Sequence, residues 1–149
     1  MNKARRAIWD KSGGRCWYCG CELPEKGWHA DHFEPLGRQP DLLTPVFHED
    51  EDGRLRKVLV EEKRPPAHPD RDHPDNLVPA CQSCNTIKGM SSIEGFRETI
   101  SRFINSLNSY SNQYKFAKRY GLVVETEIAV TFWFERQEFG EGSKPDEGN

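Results

Sequence analysis

The sequence of 149 residues predicts a small mixed α+β domain. Three patterns favour this class: a short basic helix near the N-terminus, extended segments over residues 28–33 and 122–134, and helical periodicity after residue 91. Only 35% of the residues are apolar, whereas 30% are charged. A chain with so few apolar residues can bury only a small hydrophobic core. We therefore expect a single domain that is stabilised by something besides its core, such as a structural metal.

The N-terminal elements are short. Residues 3–11 predict a basic helix that ends at Gly13 and Gly14. Residues 28–33 are expected to be extended, and Pro35 ends the extended segment.

Residues 38–75 look like an insertion into this framework. Apolar residues at 46–47 and 55–60 flank an acidic stretch at 49–53, a pattern that predicts a hairpin with an acidic turn. His48, His68 and His73 fall in this insertion, and we treat them as bystanders.

The C-terminal part is predicted to be a helix followed by a strand. Ser91 and Glu94 match a capping box at the start of a helix. This helix is expected to bury residues at helical spacing, namely Phe96, Ile100, Phe103, Ile104 and Leu107. Alternation over residues 122–134 predicts a long strand, whose aromatic end we expect to pack against the insertion hairpin rather than form a dimer.

The predicted organisation is therefore a core over residues 1–95 and an extension of the same domain over residues 96–139. Residues 140–149 are polar and are predicted to be a disordered tail.

Two Cys-x-x-Cys pairs carry the strongest single signal. The first knuckle (residues 16–19) and the second knuckle (residues 81–84) together supply four thiolates, the ligand set of a tetrahedral structural zinc site. Sixty-one residues separate Cys19 from Cys81, so a substantial segment is looped out between the knuckles. Cys21 is the surplus thiol; it could replace Cys19, but the spacing of the second knuckle favours Cys16 with Cys19.

Metal-binding cysteines without a secretory signal predict a reducing compartment, with the cytoplasm as the default. No apolar run is long enough to span a bilayer, so no membrane partner is expected. The net charge is −3, but residues 96–120 carry five Lys/Arg against one Asp/Glu. A basic face can therefore coexist with an acidic total, and the charge pattern permits DNA as a partner without establishing it.

Three segments together resemble the HNH endonuclease family, also called His-Me finger or ββα-metal nucleases. They comprise residues 14–20 around the first knuckle, residues 30–36 with the sequence Ala-Asp-His-Phe-Glu-Pro-Leu, and residues 75–89 around the second knuckle. The resemblance covers roughly residues 3–92, interrupted by the insertion. It implies a ββα-metal core held by a four-cysteine zinc site, and a metal-dependent DNA endonuclease.

The resemblance assigns roles to four residues. His32 matches the general base, and its imidazole can accept a proton from water near neutral pH. Asn76 matches the residue that holds this histidine in place. Asp31 and Asn85 match the ligands of one catalytic divalent cation, and their oxygen atoms suit Mg²⁺ or Mn²⁺, with other divalent metals left open.

Four further residues are weaker candidates. His29 lies two residues before Asp31, where a functional role, as an added metal ligand or a phosphate contact, is about as expected as a partly buried strand histidine. Lys88, one helical turn after Asn85, is a candidate phosphate contact. Arg15 and Arg38 are candidates for contacts with the DNA backbone.

Two other functions were weighed. A non-catalytic zinc module that binds DNA or protein would keep the four cysteines but could lose His32, Asn76 and Asn85, and all three are present. A zinc-dependent deaminase would leave the first knuckle unexplained. The order of preference is thus endonuclease, then binding module; a homodimer or a phage or mobile-element protein partner stays open.

Overall fold

The computed structural model describes residues 1–137 and shows a mixed α+β chain, as the sequence predicts. Four short strands form two separate antiparallel pairs. The strands are β1 (His29–His32), β2 (Leu42–Glu49), β3 (Leu55–Glu62) and β4 (Leu77–Ala80). The α-helices are α1 (Lys3–Asp10), α2 (Gln82–Lys88), α3 (Ile93–Ser101), α4 (Phe103–Tyr110) and α5 (Asn112–Arg119). In the part of the chain that is described, no helix is long and apolar enough to cross a membrane.

The pair β1–β4 is the centre of the fold. Its register places Asp31 opposite Val78 and His32 opposite Leu77. Helix α2 follows β4 directly, because the sulfur of Cys81 caps its first turn by accepting a hydrogen bond from the backbone of Cys84. The observed order is thus two antiparallel strands and then a helix, with the looped-out segment between the strands.

Lys11, at the end of helix α1, joins this helix to the β1–β4 pair. The side-chain ammonium donates to the carbonyl oxygens of Pro74 and Leu77, each at 2.7 Å. Charged donors on backbone carbonyls are among the stronger hydrogen bonds in proteins. One lysine therefore fixes the N-terminal helix to the start of β4.

The first knuckle also joins β4. The backbone amide of Trp17 donates to the carbonyl of Pro79 at 2.8 Å. Gly14, which precedes the knuckle with φ +78°, lies under the ring of Trp9, and a Cβ there would come within 2.2 Å of the indole. The chain can therefore make this close approach only with glycine.

The core is small, as the composition predicts. Within the described residues it contains nine buried apolar residues from α1, the first knuckle and the segment that leads from it to β1, strand β4, α3 and the C-terminal segment: Ile8, Cys16, Tyr18, Leu23, Trp28, Val78, Ala80, Phe96 and Phe132. Aromatic packing dominates it, since Tyr18 meets Phe96 and Phe132 edge-on at centroid distances of 5.5 and 5.9 Å.

The structure contains the predicted insertion hairpin. β2 and β3 pair along their full length, from Leu42 opposite Glu62 to Glu49 opposite Leu55. Apart from the half-buried Val46, every residue of both strands is exposed. The hairpin thus adds no buried residue to the core.

The predicted capping box is wrong by one residue. Ser92, not Ser91, caps α3 by accepting a hydrogen bond from the backbone of Gly95 at 3.1 Å. Glu94 pairs with Arg97 instead of returning to the cap. Both adjacent serines carry a hydroxyl group that can cap a helix, and in the structure the second serine does so.

The predicted single apolar helix is also wrong. The helix ends at Ser101 and restarts at Phe103, and of its five expected core residues only Phe96 is buried. Phe103, Ile104 and Leu107 are each about 40% exposed. The helical periodicity is present, but residues 123–130, which lie along that face, form neither helix nor strand and leave it partly exposed.

The predicted long strand is absent from the described residues. Residues 122–130 form no backbone ladder, and Leu122, Val124 and Ile128 are about 80% exposed. Alternation alone does not make a strand when no edge lies alongside to pair with. The preceding segment forms α5, which the sequence analysis did not anticipate.

The aromatic end of this segment packs on the first knuckle, not on the hairpin as expected. Phe134 stacks on Trp17 at a centroid distance of 5.9 Å, and its amide donates to the carbonyl of Trp17. The Arg97 guanidinium donates to the carbonyl of Val130 and to the Glu135 carboxylate. This ion pair lowers the pKa of Glu135, chiefly through the hydrogen bonds from Arg97. The predicted disordered tail, residues 140–149, lies outside the described residues.

Candidate metal centre and histidine site

Four cysteines meet where the two knuckles come together. The sulfur atoms of Cys16, Cys19, Cys81 and Cys84 all lie within 4.8 Å of one another. Those of Cys19 and Cys81 are 3.9 Å apart, close to the ~3.8 Å edge of a tetrahedron whose zinc–sulfur bonds are about 2.3 Å. The cluster could hold one structural zinc ion, and its geometry confirms that the predicted ligands converge.

Hydrogen bonds and burial show why this cluster suits a cation. Backbone amides of Cys81 and Cys84 each donate to a cysteine sulfur at 3.4 Å. The pKa of Cys16 is lowered to about 4, mainly because the thiol of Cys84 donates to its sulfur. That contact and burial raise the pKa of Cys84. Four crowded sulfurs cannot all ionise unless a positive charge compensates them, and a zinc ion supplies that charge.

Cys21 lies beside this cluster but outside it. It is exposed, and its backbone carbonyl accepts a hydrogen bond from the amide of Cys16 at 2.8 Å. Desolvation and the neighbouring Cys19 raise the pKa of Cys21 to about 12. These observations agree with its expected role as a surplus thiol.

Asp31 lies on the buried side of β1. It is 8% exposed, and its Oδ2 accepts a hydrogen bond from the hydroxyl of Tyr18. Burial and the Asp31 charge raise the pKa of Tyr18, so the phenol stays protonated and remains a donor. The same Oδ2 lies 3.0 Å from the ammonium of Lys88. Among the described residues, Oδ1 of Asp31 makes no hydrogen bond.

Lys88 has a different environment from the one its sequence position suggests. Its side chain is completely buried, and besides Asp31 it bonds the backbone carbonyl of His32 at 2.8 Å. Expected as a phosphate contact, it instead joins the last turn of α2 to β1. A lysine held this way would have to leave both partners to reach DNA.

His32 follows Asp31 and points to the other face of the strand, since adjacent side chains alternate. Its ring is about a quarter exposed, and Nε2 lies 2.9 Å from Oδ1 of Asp72. Because a carboxylate only accepts hydrogen bonds, Nε2 carries the proton in this contact and Nδ1 is left for another partner.

Asn76 does not hold the ring of His32 in the described residues, in contrast to the prediction. Its carbonyl oxygen Oδ1 accepts from the amide of Glu34, and its Nδ2 donates to the carbonyls of Glu34 and Arg71, all at 2.8–2.9 Å. Its own backbone carbonyl accepts from the amide of Phe33 at 2.8 Å. Asn76 thus fixes the turn after His32 against the segment that carries Asp72.

The other predicted site residues occupy varied positions. Asn85 is half-buried on α2, and in the described part of the chain its side-chain amide has no hydrogen bond. His29 is exposed at the start of β1, so the buried-histidine alternative is excluded. Arg15 donates to the carbonyl of Gly20 and pairs with Glu22, while Arg38 is 75% exposed beside Asp41.

Two residues of this region have roles that the sequence analysis missed. Tyr18, which lies between Cys16 and Cys19 in the first knuckle, donates a hydrogen bond from its hydroxyl to Asp31. Asp72 lies in the insertion and belongs to no recognisable sequence motif. Its contact with His32 in the structure identifies it as part of the site.

Comparison of the chain with protein-family models, with curated proteins and with solved structures found no match.

Proposed function

We propose that this protein is a metal-dependent DNA endonuclease of the HNH type. The observation that carries the proposal is the placement of Asp31 and His32 at the end of a strand whose partner leads, through the cysteine cluster, into the helix with Asn85. This arrangement agrees with the strand–strand–helix order that the sequence resemblance implies.

His32 and Lys88 have separate roles in the proposed hydrolysis of a phosphodiester bond. His32 removes a proton from water through Nδ1, since Nε2 is occupied by Asp72. The water oxygen forms a bond to phosphorus while the bond to the 3′ oxygen breaks, and that oxygen takes a proton from solvent. Lys88 holds the backbone of His32, and so limits how far the base can move.

Oδ1 of Asp31, which is not hydrogen-bonded in the described residues, and the side-chain amide oxygen of Asn85 are metal ligands that suit Mg²⁺ or Mn²⁺. A cation bound there would supply charge stabilisation to the phosphate and the leaving oxygen. Lys88 neutralises part of the Asp31 charge, so this donor set should bind the cation weakly until DNA phosphate contributes ligands.

The cysteine cluster has a direct role in this scheme. Asn85 follows Cys84 on α2, so a zinc ion that fixes Cys84 also fixes where the amide of Asn85 points. Zinc would then be structural, and the catalytic cation a separate ion.

A plasmid assay tests the proposal. Zinc-loaded protein is incubated with supercoiled plasmid and Mg²⁺, Mn²⁺ or Ni²⁺, alongside His32→Ala and the control His48→Ala, which alters an exposed histidine of the hairpin. We expect nicked or linear product from the wild type and the control only. Equal conversion by His32→Ala would reject the assignment.

A second function, a non-catalytic zinc module that binds DNA or protein, is favoured by the cysteine cluster alone. The same assay separates the two, because such a module would leave the plasmid supercoiled with each of the three metals.

A further inference from the structure

We infer that Asp72, a residue of the insertion, positions the catalytic histidine. This inference rests on the proposed nuclease function. The contact is between Nε2 of His32 and Oδ1 of Asp72, at 2.9 Å across forty residues of sequence. An orienting acceptor on one imidazole nitrogen fixes which nitrogen faces the substrate, as in other base–orienter pairs.

The segment that carries Asp72 is held in place by its neighbours. The guanidinium of Arg71 donates to the carbonyl of Pro35 at 2.9 Å, and Asn76 donates to the carbonyl of Arg71 at 2.8 Å. The amide of Asp72 itself donates to the carbonyl of Pro69 at 3.1 Å, closing a 3₁₀ turn over Pro69–Arg71. These bonds fix the backbone of Asp72 beside the turn that follows β1.

His32 is fixed from the opposite side. Its backbone carbonyl accepts from the buried ammonium of Lys88 at 2.8 Å. The imidazole ring therefore lies between an anchored strand and an anchored loop, with Nδ1 left as the base. The insertion is thus more than a spacer, because its returning end supplies the orienting carboxylate.

Exposure makes the inference testable. The side chain of Asp72 is 66% exposed, and that of His32 is 28% exposed. Exposed pairs of this kind contribute little to stability. Removing Asp72 should therefore leave the fold intact and affect the histidine alone.

The experiment compares Asp72→Ala, Asp72→Asn and the control Asp70→Ala in the zinc-loaded full chain. Asp70 is exposed in the same turn and makes no side-chain bond within the described residues. We expect Asp72→Ala to lower kcat by about 10- to 100-fold with KM for DNA unchanged, the size of effect typical of orienting partners. Asp72→Asn should fall in between, because its amide oxygen still accepts from Nε2. Asp70→Ala should match the wild type.

The outcomes separate this inference from the proposed function. If His32→Ala abolishes cleavage but Asp72→Ala retains wild-type kcat, the positioning role is overturned while the nuclease stands. A rise in KM with unchanged kcat would also overturn it, since it would make Asp72 a binding residue. If His32→Ala cleaves normally, the nuclease proposal itself fails. Melting temperatures of all variants, expected within a few degrees of the wild type, verify that folding is unchanged.

Discussion

Replacing Lys88 by methionine gives the sharpest test of the structure around β1. Methionine keeps most of the side-chain volume but removes the charge that neutralises Asp31 and the donor to the carbonyl of His32. The side chain of Lys88 is 0% exposed and that of Asp31 is 9% exposed, so water cannot replace the lost partner. The carboxylate would keep only the hydroxyl of Tyr18.

Removing one partner of a buried ion pair typically costs about 3–5 kcal/mol. Domains of this size are stable by about 5–15 kcal/mol in total, so the variant should lose a large fraction of its free energy of unfolding. With about 2–4 °C lost per kcal/mol in a chain of this length, the melting temperature should fall by on the order of 10 °C.

The assay is denaturant unfolding of zinc-loaded protein, followed by tryptophan fluorescence, with Lys57→Met as the control on the exposed strand β3. The double variant Lys88→Met with Asp31→Asn should recover part of the loss, because the unpaired charge is gone. Wild-type stability in Lys88→Met together with weakened DNA binding would show that the ion pair with Asp31 does not stabilise the fold, and would restore the lysine as a phosphate contact.

Two further predictions concern zinc and the C-terminal segment. Chelation of zinc, or Cys84→Ser, should abolish plasmid conversion and cooperative unfolding together, because the cluster joins both knuckles; retained cooperative melting with lost activity would contradict this coupling. Glu135 has a lowered pKa through Arg97, so its contribution to stability is present above the unfolded carboxyl pKa near 4.3 and is lost as pH falls through the lower folded value. Acid denaturation curves of the wild type and Glu135→Gln should therefore converge at low pH, and parallel curves at all pH values would show that the pair does not stabilise the fold.

The sequence predicted local features well where short-range chemistry decides them. The cysteine spacing predicted a cluster, and the structure brings all four sulfurs together. The acidic turn between apolar runs predicted the hairpin, which pairs in full. Turn geometry and metal-ligand spacing are set within a few residues, so they can be inferred from the sequence alone.

Structural features that depend on contacts between residues far apart in the sequence were harder to predict from the sequence. Residues 122–130 alternate like a strand, yet in the described part of the chain no strand pairs with them. Their Glu125 instead accepts hydrogen bonds from Asn108 of α4 and Lys118 of α5. Lys88 has the sequence position of a surface lysine, and only the packing of α2 on β1 shows that it is buried against Asp31.

The same distinction between local patterns and distant contacts applies to the histidine site. His32 can be recognised from the residues around it, but Asp72 cannot, because its contact crosses forty residues and depends on how the insertion returns. A pattern local to one segment does not show which loop will lie against it.

In the proposed mechanism, His32 is the base of a nuclease held together by the cysteine cluster. The most direct measurement is the single-turnover rate of plasmid conversion by zinc-loaded wild type and His32→Ala with Mg²⁺, at matched zinc content and melting temperature. If His32 is the base, the variant should be slower by about 10²- to 10⁴-fold, the usual contribution of a general base. Equal rates for the two proteins would contradict it.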